Sequence, residues 1–208
     1  MALAQELASF RTLTAVKVSE PPRVGERAPV HPLLEAPTGS RTVIIFLRHC
    51  GCPYAERDYR QLCNLPAVRR GDVTGIIVSH SSPEDTEKWI EEITNDKKHP
   101  LYPPSSDKPD VAPGEPRVKV VVDPTRELYG AWGLGVSSAW HVFNPRTLAS
   151  VFALGRKDGI WNRNTRSGSR WQTAGAFAVD TDGVVQWGHI SGSASDIADL
   201  NEAVRSTE

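Results

Sequence analysis

The sequence predicts an α/β protein with a central mixed sheet flanked by helices. Apolar, β-branched runs alternate along the chain with amphipathic segments that begin at proline, and this alternation is typical of a parallel core. Near the C-terminus two further apolar runs flank Thr181-Asp182-Gly183. That spacing predicts a β-hairpin, which would add an antiparallel edge to the sheet.

The first strand is predicted over residues 42–47, a continuous apolar run with the sequence TVIIFL. Such a run indicates a strand that is buried on both faces. A helix should begin at Pro53 and close near Pro66 and Gly71, because proline suits the first turn and glycine the end. One apolar face of this helix is formed by Ala55, Tyr59, Leu62 and Cys63.

The later elements continue the alternation. Strands are predicted at 73–80, 118–122, 175–180 and 184–190. A helix is predicted from Pro83 with Ser82 as its cap, and another at 125–132. The last helix is predicted at 194–206 with Ser193 or Ser195 as its cap. The order is strand, helix, strand, helix, strand, helix, a long excursion, a hairpin and a final helix. This is the arrangement of a thioredoxin-like fold with insertions.

We expect one domain over residues 24–208, preceded by an N-terminal extension at 1–23. Two segments are predicted as insertions in this domain. Residues 99–117 form a Pro-rich loop, and residues 133–172 form an excursion that is rich in Trp and Arg and lacks a clean period.

Composition restricts the class of protein. Apolar residues make up 39% of the 208-residue chain and charged residues 24%, which is an ordinary globular balance. A net charge of −1 favours neither nucleic acid nor an anionic membrane as partner, and no apolar run is long enough to span a bilayer. Three cysteines are unlike a secreted disulfide scaffold, so we expect a cytoplasmic protein with free thiols.

The stretch FLRHCGCPYAERDYRQL, residues 46–62, carries the clearest chemical signal. It predicts a strand, a turn and a helix, with Cys52 at the helix N-terminus. Unpaired N–H groups and the positive end of the helix dipole favour a thiolate there, the form in which cysteine is a nucleophile. We therefore predict Cys52 as the catalytic residue, with Arg48 stabilising the thiolate and His49, a second positive charge nearby, assisting proton transfer.

The other two cysteines are weaker candidates. Cys63 lies 11 residues further along the same helix, about 16 Å away at ~1.5 Å per residue, so a disulfide with Cys52 would require the helix to unwind. A Cys50–Cys52 disulfide would be strained and is plausible only as a transient redox state. Cys50 can equally be a core residue at the end of the strand.

These residues resemble a known family. VIIFLRHCGCPYAERDYRQL is similar to a segment of the peroxiredoxin-like 2 group of the alkyl hydroperoxide reductase/thiol-specific antioxidant proteins, which typically carries FLRHFGCPFC. Four more stretches resemble peroxiredoxin domains: VGERAP, IIVSHSSPEDTEKWIEE, VVVDPTRELYGAWGLG and GAFAVDTDGVVQWGHISGSASD. The resemblance covers residues 24–205 and implies a thioredoxin-like fold and an antioxidant oxidoreductase that acts on a peroxide or disulfide.

The sequence also differs from these families at several positions. Peroxiredoxins place a threonine where this chain has His49 and an arginine where it has Ala174, although Arg170 is close in sequence. A dithiol enzyme would keep its second cysteine at the position of Ala55. The resemblance therefore implies a one-cysteine cycle with no tightly bound cofactor, in which glutathione or thioredoxin is the external reductant. A homodimer is a further expectation.

The departures leave other functions open. In a non-redox enzyme or ligand-binding protein, acid–base residues beside Cys52 would act on a small molecule such as an aromatic organic compound. The excursion could be a lid of Trp and Arg side chains or a surface insertion, and a scaffold protein could bind through the 99–117 loop. Secondary candidates for redox or pocket roles are Cys50, Tyr54, His80, Trp140, Arg170, Gln172 and Thr173. A metal site from His49, Cys50, Cys52 and His80 would match no structural zinc spacing.

Overall fold

A computed structural model describes residues 14–34, 39–99, 101, 118–137, 152, 154–163 and 165–208. Five strands form one sheet: β1 Thr42–Phe46, β2 Thr74–Ser79, β3 Val118–Val122, β4 Gly175–Val179 and β5 Val185–Ile190. Among the helices are α1 Pro53–Asn64, α2 Pro66–Arg70, α3 Pro83–Thr94, α4 Glu127–Ala131 and α5 Leu200–Arg205, and residues 154–158 are helical as well.

The sheet is mixed, with the strand order β3-β2-β1-β4-β5. Strand β2 runs parallel to β1 and to β3, whereas β4 runs antiparallel to β1 and to β5. The predicted α/β class, with a parallel core and an antiparallel hairpin at one edge, is confirmed. Because the parallel strands end at the same edge, residues that follow β1, β2 and β3 are brought together there.

The central strand β1 is buried on both faces, as its continuous apolar run predicts. Val43 and Ile45 pack on the side of α1, α3 and α5, while Ile44 and Phe46 pack on the side of α4. The second side is rich in aromatic rings, and the Phe46 ring lies 5.2 Å from the Tyr129 ring in an edge-on contact.

Tyr129 of α4 holds the ends of two strands in place. Its hydroxyl oxygen lies 2.7 Å from the carbonyl oxygen of Leu47 and 2.7 Å from that of Val78. These are backbone groups at the ends of β1 and β2, and the ring is fully buried. The contact therefore positions the loop that leaves β1, where the predicted thiol residues begin.

Two helix boundaries differ from the prediction. Pro66 does not merely end the first helix: it holds Leu65 in an extended conformation, and α2 then runs on to Gly71 with its positive φ of 84°. The last helix begins only at Leu200. Its cap is Asp199, whose carboxylate accepts from the backbone N–H groups of the first turn, rather than Ser193 or Ser195. The predicted Ser82 cap of α3 is confirmed, since its Oγ accepts from the Asp85 N–H at 3.2 Å.

Several predicted features fall outside the described residues. They are residues 1–13 of the N-terminal extension, most of the 99–117 loop, and part of the 133–172 excursion including Trp140. Within the described residues no helix is long and apolar enough to cross a membrane.

Candidate thiol site

Residues 48–52, here called the thiol loop, join β1 to α1. Cys52 is the N-cap residue of α1, and Pro53 follows in the first turn as the sequence predicts. The Cys52 backbone N–H donates to the His49 carbonyl at 3.2 Å, which closes the turn. The thiol is only 2% exposed and lies at the positive end of the helix dipole.

Arg48 brings a positive charge to this thiol. Its Nη2 lies 3.0 Å from the Cys52 Sγ, and both side chains are buried. A charge-assisted hydrogen bond of this kind is stronger away from water, so the contact holds the guanidinium against the sulfur. The second terminal nitrogen, Nη1 of Arg48, is buried without a hydrogen-bond partner among the described residues. The structure thus brings together the two residues that the sequence predicts as nucleophile and thiolate stabiliser.

A small cavity of about 10 Å³ lies beside Arg48. This volume corresponds to about one water molecule. Ala55 and Ala174 both line it, and these are the positions where a dithiol enzyme and a peroxiredoxin would carry a cysteine and an arginine. Arg48 lines the same cavity, although it lies far from Ala174 in the sequence. Tyr54, Asp58, Ser191, Ser193, Ala194 and Asp196 complete the lining.

Asp58 is one of the titratable groups that line this small cavity. Its side chain projects from the second turn of α1, and burial raises its pKa to about 7, while the charges of Arg57 and Arg48 act in the opposite direction. A carboxyl with such a pKa can give or take a proton near neutral pH. Sequence reasoning missed this residue because an acidic side chain on an amphipathic helix is typical of a solvated face.

His49 does not carry the positive charge that the sequence prediction gives it. Its Nδ1 lies 2.6 Å from the Cys50 carbonyl oxygen, so this nitrogen is the donor. Burial, together with the charges of Arg48 and Arg170, holds the pKa of His49 well below its usual value. The imidazole is therefore neutral at physiological pH, and the expected charge assistance to Cys52 comes from Arg48.

Cys50 lies in a cluster of hydroxyl groups rather than beside Cys52. Its Sγ is 3.3 Å from the Ser79 Oγ and 3.7 Å from the Thr86 Oγ1, and its backbone N–H donates to the Ser81 Oγ at 3.2 Å. Burial raises the pKa of the Cys50 thiol. These contacts favour the interpretation of Cys50 as a core residue at the strand end.

All three cysteines are free thiols. Cys63 is 3% exposed in the apolar core, on the predicted inner face of α1. The side chains of Cys50 and Cys52 contact different groups, hydroxyls in one case and a guanidinium in the other. The described residues contain no group of three or more potential metal ligands.

The excursion is attached to α1 through partly buried ion pairs. Arg163 Nε lies 2.7 Å from Glu56 Oε2, and Arg60 of the same helix approaches Glu56 Oε1 at 2.9 Å. Glu56 is 1% exposed, and a second acid that contacts both arginines is Asp96. Part of the predicted lid of arginines is therefore neutralised by carboxylates, which leaves Arg163 no free charge for an anionic ligand.

A backbone hydrogen bond also attaches the excursion to the thiol loop. The Arg163 N–H donates to the Gly51 carbonyl at 3.0 Å. Gly51 has a φ of 92°, and a Cβ at this position would lie 2.4 Å from the Arg163 carbonyl oxygen and 2.8 Å from Thr165 Cγ2. A glycine is thus required between Cys50 and Cys52 by the close approach of the excursion over the thiol loop.

His80 faces a second and larger cavity. Its Nε2 accepts from the Ser169 N–H at 2.8 Å. Burial, followed by the charge of Arg126, lowers the pKa of His80 to about 3, so the ring is neutral. The cavity of about 610 Å³ lies on the side of His80 and Arg126 and is separate from the small cavity beside Arg48.

The remaining candidates lie near the late strand. Gln172 is buried, and its Nε2 lies 3.1 Å from the Gly135 carbonyl oxygen, while the Thr173 N–H donates to that same carbonyl. Neither Gln172 nor Thr173 lines the two cavities. The charge of Arg170 reaches His49. Pocket roles for these three residues stay predictions.

Sequence comparisons identify a related group. A family profile described as AhpC/TSA antioxidant enzyme matches residues 63–193. Because this match begins after Cys52, the role of that residue rests on its geometry. A search of curated proteins found no match.

Two solved structures have a similar fold. One is a cysteine-to-serine mutant of the peroxiredoxin 6 of Arenicola marina, with 16% identity, a TM-score of 0.54, and coverage of 88% of this chain and 70% of that chain. The other is a peroxiredoxin-like protein from Aquifex aeolicus, with 13% identity, a TM-score of 0.53, and coverage of 91% and 88%. At these identities the likeness concerns the fold alone, and the predicted thioredoxin-like fold is confirmed.

Proposed function

This chain belongs to the AhpC/TSA antioxidant enzyme family, and from that premise we propose that it is a thiol peroxidase whose reacting residue is Cys52. Family membership supports a thiol-peroxidase-like function. The observation that carries the assignment to Cys52 is the 3.0 Å contact between its Sγ and Arg48 Nη2 at the N-terminus of α1. Arg48 performs the stabilising role that an arginine at the position of Ala174 would have in a peroxiredoxin.

The substrate is a small peroxide. The cavity beside Arg48 has room for about one water molecule, and Cys52 is 2% exposed. Hydrogen peroxide is close to this size, whereas a protein disulfide reaches the Sγ only if the excursion leaves the thiol loop. The buried Nη1 of Arg48 is available to donate to a peroxide oxygen.

The first chemical step forms a sulfenic acid. The Cys52 thiolate attacks one peroxide oxygen, an S–O bond forms, and the O–O bond breaks. The sulfur is oxidised and the peroxide is reduced. The departing oxygen takes one proton and leaves as water or an alcohol. Asp58, with its pKa raised to about 7 and its place in the same cavity, supplies that proton.

The second stage needs a thiol from another molecule. Cys63 lies on the same helix and Cys50 in the hydroxyl cluster, so neither is set to form a disulfide with Cys52. One external thiol condenses with the sulfenic acid to give a mixed disulfide and water. A second external thiol then releases Cys52 and forms the external disulfide. Glutathione and thioredoxin are the two reductants to compare.

The test measures hydrogen peroxide consumption in the presence of each reductant. Cys52→Ser should abolish turnover, while the matched control Cys63→Ser should keep it. After peroxide treatment, dimedone should label Cys52, as mapped by mass spectrometry. Unchanged turnover in the Cys52→Ser protein would refute the proposal, as would labelling at another cysteine alone.

A non-redox enzyme or binding protein is the second candidate function. It is favoured by the 610 Å³ cavity and by the neutral His80 beside it. A neutral imidazole beside such a cavity can hydrogen-bond a small ligand. Activity or ligand binding that survives Cys52→Ala would support this candidate, and loss of every measurable activity in that variant would exclude it.

A further inference from the structure

The larger cavity lies at the carboxyl ends of β2 and β3. Residues that follow β2 line one side, residues that follow β3 line another, and the segments 14–16 and 166–169 close the rest. Ligands of parallel sheets bind at this edge, and a volume of about 610 Å³ is within the range of small-molecule sites. The cavity therefore has the place and the size of a binding site.

Arg126 is the most unusual residue of this cavity. It is 3% exposed, and its Nη1 is buried with no hydrogen-bond partner in the described part of the chain. Its Nη2 donates to the Thr14 carbonyl. Leaving a buried guanidinium N–H unpaired is unfavourable, so a partner at this position would stabilise the protein.

The carboxylate whose charge acts on Arg126, that of Asp123, is engaged elsewhere. Asp123 Oδ2 accepts from the backbone N–H groups of Leu128 and Tyr129 at 2.9 and 3.2 Å, and its Oδ1 accepts from the Thr125 hydroxyl at 2.9 Å. Its negative charge acts on Arg126, and the Arg126 backbone N–H donates to the Asp123 carbonyl at 3.1 Å, but no hydrogen bond joins the two side chains among the described contacts. The Nη1 group is thus left for a ligand.

The backbone at Arg126 is also strained. Its φ of 64° is the one positive φ among non-glycine residues in the described ranges. Long side chains rarely adopt this conformation, and such outliers persist where the surrounding structure requires them. Here the conformation places an arginine, rather than a glycine or asparagine, at the cap of α4 and in the wall of the cavity.

The other polar groups suit an anion. Arg166 is exposed and lines the cavity, so two guanidinium groups meet a single acidic side chain in the lining, that of Glu127. The hydroxyl of Ser82 and that of Ser169 add hydrogen-bonding groups. His80 is neutral and contributes no charge of either sign.

We propose that this cavity binds a small organic anion, a carboxylate or a phosphate monoester, through Arg126 and Arg166. The planar guanidinium groups suit the oxygens of either anion. The site is distinct from Cys52 and does not depend on peroxide chemistry there.

Calorimetric titration of the full chain with inorganic phosphate and, separately, with citrate tests the proposal. At least one anion should bind, and glycerol, as a neutral probe, should not. Arg126→Gln should weaken binding by tenfold or more, since the loss of one charge-assisted contact of this kind corresponds to about that factor. Arg166→Gln should weaken it by a smaller factor, and the exposed control Arg205→Gln should leave it unchanged.

The Arg166 variant keeps the test decisive if Arg126→Gln fails to fold, because Arg166 is exposed. Preferential binding of phosphate would identify a phosphate ester as the ligand class, and preferential binding of citrate a carboxylate. Absence of binding by both anions would overturn the proposal. Binding that is weakened equally by Arg166→Gln and by Arg205→Gln would overturn it as well. Cys52→Ser should bind the anion normally even if the proposed peroxidase is refuted.

Discussion

Arg48 Nη2 lies 3.0 Å from Cys52 Sγ, although one residue follows a strand and the other caps a helix. Four positions separate them, and the turn between them brings the guanidinium to the thiol. Both are buried, so water screens their attraction only weakly. The contact joins the proposed nucleophile to the positive charge of Arg48. That charge comes neither from the position where the family carries its arginine nor from the predicted His49.

Removal of the Arg48 charge should slow Cys52 chemistry. For Arg48→Met we expect Cys52 alkylation by iodoacetamide at neutral pH to fall by about tenfold, because a hydrogen bond to a charged group contributes on the order of 1.5 kcal/mol. Mass spectrometry measures the rate at Cys52, and Arg70→Met, in an exposed ion pair, is the control. An unchanged rate in folded Arg48→Met protein would contradict this role.

Asp58 should make stability depend on pH. An unfolded aspartate titrates near about 3.9, whereas burial raises the folded pKa of Asp58 to about 7. Between these values the folded chain holds one more proton, so this residue causes stability to decrease as pH rises from about 4 to about 7. Asp58→Asn, which resembles the protonated form, should lose this contribution.

Urea unfolding at about pH 5 and about pH 8 measures the effect. The stability of Asp58→Asn relative to the unchanged protein should be greater at the higher pH, while the exposed control Asp182→Asn should show no such trend. A pH-independent difference for Asp58→Asn would show that its carboxyl titrates in the usual range.

The Glu56 ion pairs should stabilise the attachment of the excursion. Glu56→Gln removes the buried charge that Arg60 and Arg163 share, and we expect the free energy of unfolding to fall by about 2 kcal/mol, because both arginines are only partly buried and keep Asp96. Urea unfolding measures the loss. Asp72→Asn is the control, since its pair with Arg70 is exposed and should contribute little. Equal losses in the two variants would refute the prediction.

A side chain at position 51 should destabilise the protein for two separate reasons. Gly51→Ala meets both an unfavourable φ of 92° and a clash with the Arg163 carbonyl. Gly25→Ala is a matched control, because Gly25 has a φ of 91° with nothing within 4 Å of the added Cβ. We expect Gly25→Ala to lose about 1 kcal/mol of stability from strain alone, and Gly51→Ala to lose clearly more.

Faster alkylation of Cys52 should accompany the loss in Gly51→Ala, as the excursion moves away from the thiol loop. Thermal unfolding and iodoacetamide labelling check both effects. Equal stability losses at Gly25 and Gly51, with unchanged labelling, would show that the excursion does not restrict access to Cys52.

Local sequence patterns predicted most of the fold. The periodicity of the apolar residues and the positions of proline and glycine located the strands, the hairpin at Thr181-Asp182-Gly183 and the start of α1 at Pro53. They could do so because these signals act over a few residues. They failed at the last helix, where the side chain of Asp196 accepts from the Gly192 N–H and the helix starts only after Asp199. A periodic apolar pattern does not reveal that competing turn.

The chain's sequence by itself determined that Cys52 caps a helix and that Cys63 faces the core, since both follow from position relative to Pro53. The tertiary structure alone decided that His49 is neutral, that Asp58 titrates near pH 7, and that Arg163 pairs with Glu56 across 107 positions. Charge states depend on burial and on neighbours from distant segments. Those neighbours come together only when the excursion has packed over the thiol loop and residues 191–196 have packed beside Asp58.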